Sequence, residues 1–449
     1  MLATRSQVFS WRFEGLIMQV VVIGNGIAGF SAASTLRHLD GRCEITVISS
    51  ESNSLYSPCV LADYISGDIP RERVFIKLLQ DYDWHSLTLL LGHEVKEIEP
   101  ARKRVLIDNG ASVPFDKLVL ATGSRAIILS ELKRGIFKLK TIKDADEILK
   151  HRGTKAVVIG AGPIGIEVAI ALYHRGYRVS ILEMMDHVLP LGLDTLGANK
   201  VKAILEEHGI EVFSGERSER ILGTDQVKGV VTNRQEIECD TLVWAVGMRP
   251  NIELAAKSGI QVGDKGGIRV NPRMETSLPD IYACGDCIES NDILTGELYP
   301  NLFWHNANRQ GAVAARNCAG LPTNYPGSHN LLNVDVFGNH VAGFGFTEAA
   351  LNRFRDLKAF EGNPPRISII EKEKNGSYYR LVIAGDRCMG AQFLNIDLTQ
   401  RAMGLFWSFI LQKRSVEGLL KILENEGLLS HKPWLRRVRP FFMGARAIG

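Results

Sequence analysis

A chain of 449 residues, 45% hydrophobic and 23% charged, has the length and composition for two or three domains, each with its own core. Its net charge of +3 gives no ground for a nucleic-acid or strongly acidic partner. No apolar run approaches the roughly 20 residues that cross a bilayer, the N-terminus lacks the blocks of a signal peptide, and seven scattered cysteines are not a secreted disulfide framework, so a cytoplasmic protein is expected.

Residues 1–17 read as an N-terminal extension, with Met18 as an alternative start. Gln19–Ile23 is a β-branched run that predicts a strand. Gly24-Asn25-Gly26-Ile27-Ala28-Gly29 follows, then a helix to about Leu39 and a second strand at Glu44–Ile48. The segment from Phe115 to Gly123 is an apolar strand ending in a small-residue turn. Residues 138–154 form a connector with one polar helix, Asp144–His151. The pattern then repeats. A strand before Gly160-Ala161-Gly162-Pro163-Ile164-Gly165, 136 positions after the first copy, leads to a helix through about Arg175 and a strand at Arg178–Leu182. Thr241–Gly247 and Thr276–Asp286 are further strand-then-turn segments. From about Pro322 the alternation in Leu332–Phe337 and Tyr379–Ala384 predicts an antiparallel sheet followed by helices. Ala402–Leu411 is too short to span a membrane and reads as a buried or interface helix, or as a membrane-surface one. Residues 431–449 are a basic tail with Arg436, Arg437, Arg439 and Arg446, read as solvated or as a docking arm.

The two glycine loops carry the chemistry. In each, the first glycine makes the tight turn out of the strand. The second lets a pyrophosphate approach the backbone, and the third lets helix and strand pack closely. Two copies imply two dinucleotides, a flavin and a nicotinamide, on an α/β fold with two doubly wound, Rossmann-like domains. Glu183 ends the second strand of the second copy, 23 residues after Gly160, where a carboxylate accepts hydrogen bonds from a ribose 2′-hydroxyl. A 2′-phosphate would be repelled, and Met184-Met185 supplies no arginine to hold one, so NAD(H) is expected over NADP(H). In the first copy the equivalent position is Ser49, and an acid appears only at Glu51. Cys284 and Cys287 have the C-x-x-C spacing of a redox or metal pair, but that strand-turn needs small residues, and no second C-x-x-C or histidine pair completes a metal site.

The order of Gly24–Gly29, Ala121–Gly123, Gly160–Gly165, Val246–Asn251 and Tyr282–Asp286 resembles the pyridine nucleotide-disulfide oxidoreductase family from Met18 to about Leu423. The resemblance implies an FAD-binding domain split between 18–124 and 252–321, an NAD-binding domain at 125–251, and a C-terminal α+β interface domain at 322–430 that makes a homodimer in many members. It implies FAD contacts from Gly24, Gly26, Gly29, Glu51, Thr122, Gly123, Gly285 and Asp286, and NAD contacts from Gly160, Gly162, Gly165, Glu183 and Gly247. Glu167 matches the glutamate that lies near nicotinamide and flavin; its alternative reading is a helix first-turn acid.

Cys59, in Ser57-Pro58-Cys59-Val60-Leu61-Ala62-Asp63, resembles the redox cysteine of the single-cysteine members, which reduce CoA-disulfide, oxygen or peroxide. Here Val60 replaces a glycine and crowds the sulfur, Asp63 brings a carboxylate nearby, and Ile27-Ala28 stand where oxidases and peroxidases carry a histidine. The alternative is a small apolar filler in a buried loop. His305 lies in a segment that comes near the flavin in relatives, as a proton donor or an ordinary loop histidine. The resemblance implies hydride exchange between NAD(H) and FAD. The leading expectation for the other partner is a redox protein: a ferredoxin, a rubredoxin or an iron–sulfur subunit, as in the flavin subunit of 2-oxoacid:acceptor complexes such as phenylglyoxylate dehydrogenase. The alternatives are a stand-alone reductase using Cys59 and a non-catalytic redox sensor.

Overall fold

A computed structural model describes residues 17–353, 366–374, 376–396 and 416–418. Residues 1–16, the Ala402–Leu411 helix and the basic tail lie outside the described residues. The elements that position the cleft are, in chain order, β1 (Gln19–Ile23), α1 (Ile27–Leu39), β2 (Glu44–Ser49), α2 (Leu61–Ser66), β3 (Thr88–Leu91), β4 (Lys117–Leu120), β5 (Ile136–Lys138), α3 (Ile142–Lys150), β6 (Lys155–Ile159), α4 (Pro163–His174), β7 (Arg178–Glu183), α5 (Thr195–Glu207), β8 (Glu211–Ser214), β9 (Thr241–Trp244), β10 (Ile281–Ala283) and α6 (Trp304–Cys318). Five strands close the fold: β11 (Leu331–Val336), β12 (Asn339–Gly345), β13 (Ile367–Lys374), β14 (Ser377–Ala384) and β15 (Arg387–Leu394).

Two five-stranded parallel sheets carry the two glycine loops. The first runs β3-β2-β1-β4-β10 and the second β8-β7-β6-β9-β5. In both, the strand before the glycine turn is central and its register is continuous, from Val22↔Val47 and Val22↔Val119 in one to Val158↔Ile181 and Val158↔Val243 in the other. Helices cover the faces, so these strands bury side chains on both sides. Val20–Ile23 and Ala156–Ile159 are all buried, which is why they read as unbroken apolar runs rather than alternating ones. Strand β10 joins the first sheet beside β4 only after the chain has completed the second sheet.

On the first sheet, α1 packs directly on α6. A Cβ at Gly311 would lie 2.2 Å from the Ala28 carbonyl oxygen, so only glycine allows this approach. The last five strands form an antiparallel sheet, β11-β12-β15-β14-β13. Leu332, Val334, Val336, Val341, Tyr378 and Leu394 of this sheet join the core built around the second parallel sheet. A buried polar link reinforces the contact. Gln392 Nε2 donates to Asp194 Oδ2 at 2.7 Å, and Arg380 Nε reaches the same oxygen at 3.2 Å. No described helix is long and apolar enough to cross a membrane.

Candidate dinucleotide cleft

The two glycine loops open on one cleft of about 1890 Å³. That is well above the roughly 300–1,000 Å³ of a pocket for one small ligand. The loops are near-copies. Gly24 and Gly160 have φ of +112° and +106°, a region L side chains rarely adopt. A Cβ at Gly24 would lie 2.0 Å from the Ala121 carbonyl oxygen, and one at Gly160 2.4 Å from that of Ala245. A Cβ at either third glycine, Gly29 or Gly165, would lie 1.9 Å from the carbonyl oxygen of the first. At Gly26 and Gly162, by contrast, a Cβ would meet nothing within 4 Å. The first and third glycines are therefore imposed by packing. The second leaves backbone open to the cleft at a helix N-terminus, which is what a pyrophosphate needs.

The residues after the second strands differ. Glu183 is buried, and its carboxylate turns back on its own half: Oε2 accepts from Ala161 N at 2.6 Å and Oε1 from Met185 N at 2.8 Å. Ser49 occupies the matching position of the first half, where it is buried and also lines the cleft. Glu51 does line the cleft, with its Oε2 accepting from the Tyr56 hydroxyl at 2.7 Å. Burial raises the Glu51 carboxyl above the usual carboxylate range, opposed by that hydrogen bond. The first loop is braced instead by Asn25, whose Oδ1 accepts from the Tyr82 hydroxyl at 2.9 Å.

Between the loops, Thr122 and Asn251 cross-link the two chain crossings: Thr122 Oγ1 donates to Asn251 O at 2.7 Å, and Asn251 Nδ2 to Thr122 O at 2.8 Å. Gly123 and Gly247, with φ of +67° and +102°, turn the chain at the same level. Gly285 (φ +82°) donates its N–H to the buried Gln310 Oε1 at 2.9 Å and presents Asp286 to the cleft. Asp286 Oδ2 accepts from Ser124 Oγ at 2.7 Å and pairs with Lys140 Nζ at 3.2 Å. Lys140 was not anticipated. It arrives from the turn after β5, a strand of the second sheet, and no local motif marks it.

Several expectations change. Cys59 is exposed, lines the cleft and sits on a single 3₁₀ turn, Pro58–Val60, ahead of α2, so it is not a filler in a buried loop. Val60 does not crowd it from the cleft side, since that side chain is buried in the core around the second sheet. Glu167 lines the cleft from the fifth position of α4; that helix begins at Pro163 and has no acid in its first turn, so the dipole explanation does not apply. His305 is not a loop residue but the second residue of α6. The residue lines the cleft, its ring stacks on buried His329 at 4.1 Å, and burial pulls its pKa down to about 4. Cys284 and Cys287 are fully buried, and burial raises both thiols. Cys43, Cys239, Cys318 and Cys388 are buried as well. Among the described residues no group of three or more histidine, cysteine or acidic side chains is arranged to hold a metal. An arginine also appears at the cleft: Arg217, from the chain leaving β8, lines it with Glu183 and Met184.

Two glycine loops of near-identical backbone open on one cleft that an exposed cysteine, Cys59, and the carboxylate of Glu167 also line. The chain belongs to the pyridine nucleotide-disulphide oxidoreductase family, whose pattern it matches over residues 18–311. It is 36% identical over 366 residues, 79% of each chain, to an NADH oxidase of Methanocaldococcus jannaschii. It is 30% identical over 334 residues to the ferredoxin–NAD(+) reductase component of a 3-phenylpropionate/cinnamic acid dioxygenase of Photorhabdus laumondii, covering 71% of this chain and 84% of that one. The structure of an NAD-dependent persulfide reductase from A. fulgidus superposes with a TM-score of 0.83 at 29% identity, over 93% of this chain and 80% of that one. The chain is thus an NAD(P)H-dependent flavin oxidoreductase, and the non-catalytic alternative falls away.

Proposed function

We propose that this protein moves a hydride between NAD(H) and FAD and passes the electron pair to a sulfur-bearing acceptor through Cys59. The observation that carries the reading is that an exposed cysteine lines the same cleft as both glycine loops and Glu167. Gly24, Gly26 and Gly29 fit the FAD pyrophosphate, since backbone at Gly26 is open while its neighbours are packed. Asp286, steadied by Ser124 and Lys140, and the Thr122–Gly123 turn fit the rest of that nucleotide. Ser49 and Glu51 line the same cleft and would hold its adenosine ribose. Gly160, Gly162, Gly165 and Gly247 do the same for the nicotinamide nucleotide, and Glu183 supports NAD(H) over NADP(H). When bound, the flavin supplies the redox chemistry, taking a hydride from nicotinamide and releasing electrons in pairs or singly. The chain supplies position. Glu167 stands in the cleft beside the second loop, where it can orient the reacting ring. The Cys59 thiolate attacks an S–S bond of the acceptor, forms a mixed disulfide and releases the other half as a thiolate. NADH is the source of the electron pair that restores Cys59.

A second reading keeps the hydride step and sends the electrons to a redox protein such as a ferredoxin, a rubredoxin or an iron–sulfur subunit. The ferredoxin–NAD(+) reductase relative supports it, as does the absence of a histidine at Ile27-Ala28. Cys59→Ser separates the two. Under the first reading, NADH-driven reduction of a disulfide or persulfide collapses while anaerobic bleaching of the flavin by NADH persists. If disulfide or persulfide reduction by the variant matches that of the native protein, Cys59 is not the route and the redox-protein reading takes its place.

A further inference from the structure

We infer that Arg217 is a second specificity element of the nicotinamide half: a cation beside the ribose position that receives a 2′-phosphate once the Glu183 charge is removed. The inference rests on the NAD(H) reading above and extends it to a residue on the chain leaving the neighbouring strand.

Glu183 does more than stand at the end of β7. Its two carboxylate oxygens occupy the N–H groups of Ala161 and Met185, at 2.6 and 2.8 Å. Backbone N–H groups at a glycine turn are the donors an anion would use. The chain therefore fills part of a possible phosphate site with its own carboxylate, and that carboxylate is fixed rather than swinging.

The neighbouring strand brings the opposite charge. In the parallel pairing of β7 and β8, Glu183 lies across from Ser214. The chain leaving β8 then runs back along the Glu183–Met185 turn. Gly215 N donates to Met185 O at 2.7 Å, and Glu216 N donates to Glu183 O at 2.9 Å. Glu216 turns its carboxylate inward, onto the Thr232 hydroxyl and the Gln235 amide. Arg217 is the next residue. Its backbone N–H is pinned to Asn233 Oδ1 at 2.9 Å, and the residue lines the cleft, as Glu183 and Met184 do. It is the only arginine among the described residues that do so.

The guanidinium is weakly held. Its side-chain partner is Glu219, at 3.0 Å, and the two side chains are 65% and 43% exposed. Such a pair is screened by solvent and readily exchanged. A 2′-phosphate offers a better partner, because it is doubly charged and can accept two parallel N–H bonds from the guanidinium fork. In the native chain the fixed Glu183 charge opposes that exchange. Arg234 gives an internal control: its guanidinium approaches Gly215 on the same loop but does not line the cleft.

The test uses the flavin-loaded protein and two fragments, AMP and adenosine 2′,5′-bisphosphate, with affinities from calorimetry and kcat/KM for NADH and NADPH alongside. The native protein should bind the bisphosphate no more tightly than AMP. Glu183→Gln should bind it about tenfold more tightly than the native protein does, with the gain shrinking as salt rises. Adding Arg217→Ala should abolish the gain, whereas adding Arg234→Ala should leave it. NADPH kcat/KM should follow the same order. The inference is overturned if Glu183→Gln brings no gain or if the gain survives Arg217→Ala. It is also overturned if Arg217→Ala weakens both fragments equally, which would place the guanidinium on the adenine or the 5′-phosphate. Loss of AMP binding and NADH oxidation in the native protein itself would instead sink the underlying reading.

Discussion

The first and second glycine loops repeat each other closely in backbone and differ in what stands at the end of the next strand. Both pin the first glycine at a φ just above +100°, and both place the third glycine where a Cβ would overlap the first glycine's carbonyl. In the second half, a side chain of the sheet itself, Glu183, ties the loop down. In the first half that slot holds Ser49, and the loop is tied through Asn25 to a buried tyrosine from outside the sheet. The cradle is set by steric necessity and hence repeats. The bracing is set by single side chains, so it diverges.

The sharpest way to break the symmetry is at the third glycines. Gly29→Ala and Gly165→Ala should each destabilise by about 3 kcal/mol or more, the upper end for overpacking, because backbone and not a flexible side chain is in the way. Equal losses in thermal melts would confirm the equivalence; a small loss at one position would end it. Acid should separate the halves next. Burial depresses the His305 pKa to about 4, below an unfolded value near 6.5. The unfolded chain therefore binds more protons in that window, and stability falls as pH drops from about 6.5 toward 4, by up to about 3 kcal/mol. His305→Asn should make this limb shallower in pH-dependent denaturant melts, leaving the share of His329, whose pKa burial also lowers. Asn25→Ala is a smaller lesion, about 1–3 kcal/mol, since it leaves the buried Tyr82 hydroxyl without that acceptor. The second half already carries Ala161 at this position, so no counterpart loss exists there.

Both central strands, both glycine turns and the helices after them were legible in the sequence, because a buried parallel strand writes an unbroken apolar run and the turn demands glycine locally. The antiparallel character of Leu331–Val336 and Ser377–Ala384 showed in their alternation. Contacts made at a distance were not legible. Lys140 reaches Asp286 from the turn after β5, Arg217 reaches the Glu183 turn from beyond β8, and His329 meets His305 from a different segment. None has a periodic or spaced signal, since each is placed by sheet order and not by its neighbours in the chain. Cys59 was legible as a candidate, but its exposure was not, because the short turn that lifts it into the cleft depends on Val60 burying itself in the core opposite.

The late arrival of β10 has a consequence for biogenesis. As the chain emerges from a ribosome, β1 to β4 can pair early, yet Asp286 and the Gln310 amide that holds its turn come only after the whole second sheet has been made. The strands of the second parallel sheet can pair while the first sheet still lacks an edge. Under the proposed assignment flavin capture then becomes one of the last events of maturation, and a chain released ahead of residue 281 should be colourless.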